Sequence, residues 1–124
     1  MEICIDFDGT CCTHDYPKIG KDIGAYSVIR ELIAKGHNII LFTMRSAIEL
    51  QEAVDHLGME GISLYGINTN PTQSSWTSSP KAYGQLYIDD AALGCPLRYN
   101  DQISNRPFVD WGIVRDKLIS GKLL

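Results

Sequence analysis

A chain of 124 residues with 44% apolar content is long enough for one hydrophobic core and too short for two, so a single domain over residues 1–124 is expected. A formal charge of −4 with acids and bases interspersed argues against a nucleic-acid partner. No apolar run approaches the roughly 20 residues that span a bilayer, and no leader pattern follows Met1, so the expectation is a cytoplasmic protein without a membrane partner.

Residues 2–7 form a short apolar run suited to a buried parallel strand, and it ends in Asp6-Phe7-Asp8-Gly9-Thr10. Period-2 geometry puts residues 6 and 8 on the same side of an extended chain, and Gly9 permits a sharp turn directly after them. Ile23, Tyr26, Ile29, Leu32 and Ile33 recur at helical spacing and stop at Gly36, a plausible C′ residue. Asn38 to Thr43 is strand-like. Ser46 with Glu49 then reads as a capping box opening a helix through about Leu57, closed by Gly58. A third strand is predicted near Ser63 to Asn68. Asn70 to Pro80, rich in Ser, Thr and Pro and carrying Trp76, reads as a surface loop. A fourth strand, Gln85 to Ile88, ends in Asp89-Asp90, and a last helix is predicted from about Val109 to Ser120; residues 91–106 give no clear pattern. Strands alternating with helices predict an α/β fold, a doubly wound, Rossmann-like parallel sheet with helices on both faces and right-handed crossovers. In such sheets ligands bind beyond the carboxyl ends of the strands.

Asp6 and Asp8 aimed at one spot suit a hard cation such as Mg²⁺, commonly held by one or two carboxylates, water and substrate phosphate. Thr43 ends the second predicted strand, Asp89 and Asp90 end the fourth, and Lys81 lies in the connection just before it. Taken singly, each has a plainer reading: a strand-end turn residue, a loop acid pair or N-cap, a solvated lysine. Their convergence on one sheet edge is what points to a site. The cysteines, Cys4, Cys11, Cys12 and Cys95, show no CxxC pair and no zinc-like spacing and read as reduced thiols. Cys4 and Cys95 fit as small core residues, whereas Cys11 and Cys12 either line the site entrance or are silent.

The runs Ile3-Cys4-Ile5-Asp6-Phe7-Asp8-Gly9-Thr10, Leu41-Phe42-Thr43, Lys81, and Tyr87-Ile88-Asp89-Asp90 resemble the four motifs of the haloacid dehalogenase superfamily, in that order and across residues 2–90. The first and fourth motifs are specific; the other two are single polar residues that gain meaning from position. The resemblance implies a Mg²⁺-dependent phosphatase in which Asp6 is the nucleophile that becomes an aspartyl phosphate and Asp8 the general acid/base. It further implies that Thr43 binds the phosphoryl oxygens and that Lys81 holds the Asp6 carboxylate. Mg²⁺ would sit on Asp6, the Asp8 carbonyl, and Asp89 or Asp90, with Asp89 the expected direct ligand. An acid at position 8 favours phosphate-ester chemistry over the carbon–halogen and carbon–phosphorus branches. Short gaps from Asp6 to Thr43 and from Thr43 to Lys81 leave no room for a cap domain. The open site would then be covered by a large substrate, by a second copy of the chain, or by loops 11–22 and 70–80. Capless relatives often act on phosphorylated sugars or macromolecules.

Gly9, Thr10 and Arg45 are the candidate substrate-binding residues. Arg45, two residues past Thr43, offers a planar guanidinium for a second anionic group, and a surface residue at a helix start is the competing reading. His14, Asp15 and Tyr16 fall in the loop after the first motif, where they either read the substrate or are solvated. His37 and His56 are expected to take no part in catalysis, and Trp76 either stacks on a sugar or base or pins its own loop. A response-regulator receiver domain shares the residue types but not their order, since its acid pair comes first and its nucleophile on a later strand. The alternative on the same fold is a catalytically weak phospho-ligand-binding or phosphotransfer module.

Overall fold

The computed structural model describes residues 1–124. Strands β1 (Glu2–Ile5), β2 (Asn38–Leu41), β3 (Gly66–Ile67) and β4 (Leu86–Ile88) form a parallel sheet in the order β3-β2-β1-β4. In register, Ile3 lies beside Ile39 and Leu86, and Ile5 beside Leu41 and Ile88. Alternation along the strands sends these residues to one face and Cys4, Ile40 and Tyr87 to the other.

The helices are α1 (Ala25–Ala34), α2 (Ala47–Met59) and α3 (Trp111–Ser120). Tyr26, Ile29 and Leu32 of α1, Ala53 and Leu57 of α2, and Trp111, Val114 and Leu118 of α3 all join the cluster of Ile3, Ile5, Ile39 and Leu41. Each such fully buried aliphatic side chain contributes about 1.5–3 kcal/mol. The expected helices on both faces are therefore not found; all three pack on one. The strand order gives the reason. Steps from β1 to β2 to β3 run in one direction, so right-handed crossovers put α1 and α2 on the same side. The return from β3 to β4 crosses the opposite face as a loop with a 3-10 turn at Gln73–Ser75. Its Ala82 packs on Cys4 and Ile40, flanked by Phe42, Tyr65 and Tyr87.

That loop is fixed from inside by two buried amides. Asn70 Nδ2 donates to Tyr83 O, and its Oδ1 accepts from Thr72. Gln73 Nε2 donates to Ser79 O and Lys81 O, and its Oε1 accepts from the Asn70 and Tyr83 amides.

Several boundaries move. Helix α1 starts at Ala25, after Gly24 at φ 89, and ends before Gly36 at φ 92, where only glycine is unstrained. The capping box does not form: Ser46 makes no side-chain cap bond, and α2 runs through Gly58 to Met59, with the left-handed residue at Gly61 instead. The third strand is only two residues long. Val109 belongs to β6 (Phe108–Val109), antiparallel to β5 (Leu97–Arg98), a hairpin inside and just after the stretch that had no pattern. Asp110 then caps α3 by accepting from the Ile113 amide. No helix is long and apolar enough to cross a membrane.

Candidate functional site

The carboxyl edge of the sheet gathers Asp6, Asp8, Thr43, Asp89 and Asp90. The Asp6 amide continues the β1–β4 ladder by donating to Ile88 O at 3.0 Å, which places the ends of the two strands side by side. Asp6, Phe42, Thr43, Met44 and Asp89 line a cavity of about 120 Å³. One carboxylate oxygen from each of Asp6, Asp89 and Asp90 lies within 4.8 Å of the others.

The Thr10 hydroxyl joins these acids. It reaches Asp6 Oδ2 at 3.1 Å and Asp90 Oδ1 at 3.2 Å and accepts from the Asp90 amide at 3.0 Å. The second Asp90 oxygen meets His14 Nε2 at 2.8 Å. Asp89 Oδ1 accepts from the Ala91 amide, leaving its other oxygen without a donor. No lysine or arginine nitrogen lies within 4.0 Å of Asp6, Asp89 or Asp90. Burial, reinforced by the Asp89 carboxylate and then by Asp90, pushes the Asp6 carboxyl up to about 8. Three half-buried carboxylates offering hard oxygen donors and facing no fixed side-chain cation fit a divalent ion of the Mg²⁺ type.

Asp8 is arranged differently. Arg45 grips its carboxylate with a two-pronged fork, Nε to Oδ2 and Nη2 to Oδ1, both at 2.8 Å. The remaining guanidinium protons go to the carbonyls of Pro17, Lys18 and Glu49, so all five donors are engaged. Arg45 is 3% exposed, with its guanidinium between the rings of Phe7 and Tyr16 at 5.0 and 5.1 Å.

This geometry corrects the three candidate substrate-binding residues. Arg45 has no donor left for a substrate anion. Thr10 is buried and its hydroxyl positions Asp6 and Asp90. Gly9, at φ 81, is buried with its N–H on Cys12 O and its C=O accepting from Val109. Lys81 is also displaced from its expected partner: it makes no ion pair with Asp6, and its Nζ stands 5.3 Å from the Tyr87 ring centroid. Thr43 is where it was expected, with its hydroxyl accepting from the Arg45 amide and its own amide donating to Asn68 Oδ1.

Two residues escaped the sequence reading as parts of this site. Asn68 sits at φ 57, a conformation asparagine tolerates, and orients Thr43. His14, which the sequence offers as a loop residue that either reads the substrate or is solvated, faces Asp90. Cys11 and Cys12 are in the main cluster rather than at the entrance, where burial raises the Cys12 thiol to about 12. His56 bonds the Tyr26 hydroxyl between α1 and α2, and His37 bridges the amino terminus and Leu123 O. Trp76 is 58% exposed and packs edge-to-face on Tyr83 of its own loop, which Asn70 and Gln73 hold from inside. With Thr77, Ser79, Lys81, Tyr83 and Tyr87 it lines an open groove of about 300 Å³.

The class of protein so defined is an α/β domain with a split set of acids at the carboxyl edge of a parallel sheet. No protein-family model and no curated protein matches the chain. A solved structure from Bacteroides thetaiotaomicron, described as a conserved protein coded by locus, matches 98% of this chain and 91% of its own, with a TM-score of 0.78 and 31% identity. At that identity and coverage the chain belongs to the same family as this conserved protein, whose description names no activity.

Proposed function

We propose that the protein is a Mg²⁺-dependent phosphomonoester hydrolase of the haloacid dehalogenase type, working through an aspartyl phosphate on Asp6. The observation that carries this reading is the carboxylate cluster of Asp6, Asp89 and Asp90, with Thr43 on the wall of the same cavity. Bound there, Mg²⁺ would supply the positive charge that lets an ionised Asp6 approach a phosphate dianion. Asp6 and Asp89 would hold it together with the Asp8 carbonyl, which accepts no backbone hydrogen bond.

In the first step an Asp6 oxygen attacks phosphorus, the P–O bond to the substrate alcohol breaks, and the departing oxygen takes a proton from Asp8, which must swing out of the Arg45 fork to carry that proton. In the second, water attacks the same phosphorus, Asp8 takes its proton, the Asp6–phosphorus bond breaks and inorganic phosphate leaves. The Thr43 hydroxyl accepts from the Arg45 amide, which turns its own proton outward to donate to a phosphoryl oxygen.

The aromatic groove supports a sugar phosphate as substrate. Trp76 and Tyr83 meet at 88°, a corner that offers one ring face and one ring edge to a puckered ring. Thr77, Ser79 and Lys81 supply hydroxyls and a cation along it. Tyr87 of the groove packs edge-on against Phe42 of the acid cavity. With no cap, the edge is also open to a phosphorylated macromolecule.

The test is phosphate release from an aryl phosphate and from a panel of sugar phosphates, with Mg²⁺ and with chelator, by the native protein and Asp6→Asn. Metal-dependent turnover lost in Asp6→Asn is expected; turnover that survives the substitution or the chelator overturns the reading. The fork of Arg45 on Asp8 and the placement of Lys81 on Tyr87 favour the second reading, a phospho-ligand-binding or phosphotransfer module. That reading calls for at most one equivalent of phosphate released per protein, in a single burst.

A further inference from the structure

The loop after the first strand carries His14, which takes no part in the chemistry above. Its imidazole is nevertheless built into the acid cluster. His14 and Asp90 side chains are each only 15% exposed, and their contact is 2.8 Å. A Cβ on Gly9 would collide with His14 Nε2 and with Asp90 Oδ2, so the imidazole packs directly against the turn that follows Asp8. The backbone on either side is anchored. The Thr13 amide donates to Lys21 O and its hydroxyl accepts from the Lys21 amide, while Arg45 holds the Pro17 and Lys18 carbonyls.

The division of acceptors within the cluster follows from these contacts. The Thr10 hydroxyl has one proton and two carboxylate neighbours; given to Asp90 Oδ1, it leaves Asp90 with a donor on each oxygen, His14 serving Oδ2. With that proton on Asp90, Asp89 keeps one oxygen without a donor and Asp6 has no side-chain donor. We infer that His14 is a positioning residue for the metal, donating from Nε2 to hold Asp90 as an outer carboxylate so that the cation is taken by the free oxygens of Asp6 and Asp89. This rests on the metal reading proposed above. Without that hydrogen bond Asp90 is free to swing its oxygen toward its neighbours, and the two inner carboxylates lose the fixed arrangement a small, geometrically demanding ion requires.

The experiment is calorimetric titration of Mg²⁺ into the metal-free full chain, alongside melting curves in chelator, for the native protein, His14→Ala and His14→Gln. His14→Ala is expected to weaken Mg²⁺ binding about 10- to 100-fold. His14→Gln, whose amide can donate to the same Asp90 oxygen, should recover most of the native affinity and melt with the native protein in chelator. Native affinity in His14→Ala overturns the inference. So does equal weakening in both variants accompanied by equally lowered melting in chelator, since that is the mark of a merely structural side chain. A native protein that binds no Mg²⁺ overturns the metal reading itself, whereas a native protein that binds it with or without His14 overturns only the role of His14.

Discussion

The two halves of the acidic edge handle negative charge in opposite ways. Around Asp8 the chain supplies its own counter-charge: Arg45 closes both carboxylate oxygens and ties in the loop at Pro17 and Lys18. Around Asp6, Asp89 and Asp90 it supplies a hydroxyl, the Ala91 amide and an imidazole. The contrast separates a self-sufficient ion pair, which fixes the site's shape, from a cluster of acids with no lysine or arginine beside it, which on the proposed reading takes a cation. A site made of four acids is thus two devices, and a perturbation that acts on one should leave the other standing.

Asp8→Asn gives the sharpest test. Turnover of an aryl phosphate should fall about 10²- to 10⁴-fold through loss of the acid/base, while stabilisation by Mg²⁺ in a melting curve persists. Arg45→Ala should cost about 3–5 kcal/mol in urea unfolding, because it strands a half-buried carboxylate. Arg45→Lys should recover little of this, since a point charge cannot reproduce a five-donor fork. Saturating Mg²⁺ should stabilise the native protein by about 2.7 kcal/mol at a hundredfold excess over Kd, and Asp89→Asn should remove that gain.

The pH dependence divides the halves again. In chelator, native Asp6 holds a proton that the unfolded chain releases from its ordinary value of 3.8 upward. Stability should therefore fall as pH rises from there toward about 8. Mg²⁺ should flatten this slope by favouring the ionised carboxylate. Away from both halves, Glu31 on α1 is lowered by its hydrogen bonds to Arg115 on α3, so its contribution is present at neutral pH and lost on acidification. Both side chains are exposed, and Glu31→Gln should shift the neutral melting temperature least of all.

Parallel strands carry their polar chemistry at their carboxyl ends, which is why Asp6, Asp8, Thr43, Asp89 and Asp90 could be brought together from the sequence. What they do there depends on loops that wrap back, and no local period encodes that. Arg45 looked available because three of its five acceptors are backbone carbonyls at Pro17, Lys18 and Glu49, invisible in a string of side chains. Lys81 follows a loop whose course is set by buried Asn70 and Gln73, residues that read only as loop polarity. The β5–β6 hairpin has strands of two residues, too short for alternation to register. Helices on one face follow from the strand order, which the alternation of elements alone does not fix.

Trp111 Nε1 donates to Thr10 O at 2.6 Å, and the Val109 amide donates to Gly9 O. The turn that follows Asp6 is thus clamped by residues about a hundred positions downstream. On a ribosome the acidic motif emerges well before its clamp, and its turn lacks that support until the stretch leading into the last helix has cleared the exit tunnel. The geometry of the acidic edge is consequently a late event in biosynthesis, and nascent chains stalled before that stretch would carry the motif without its folded shape.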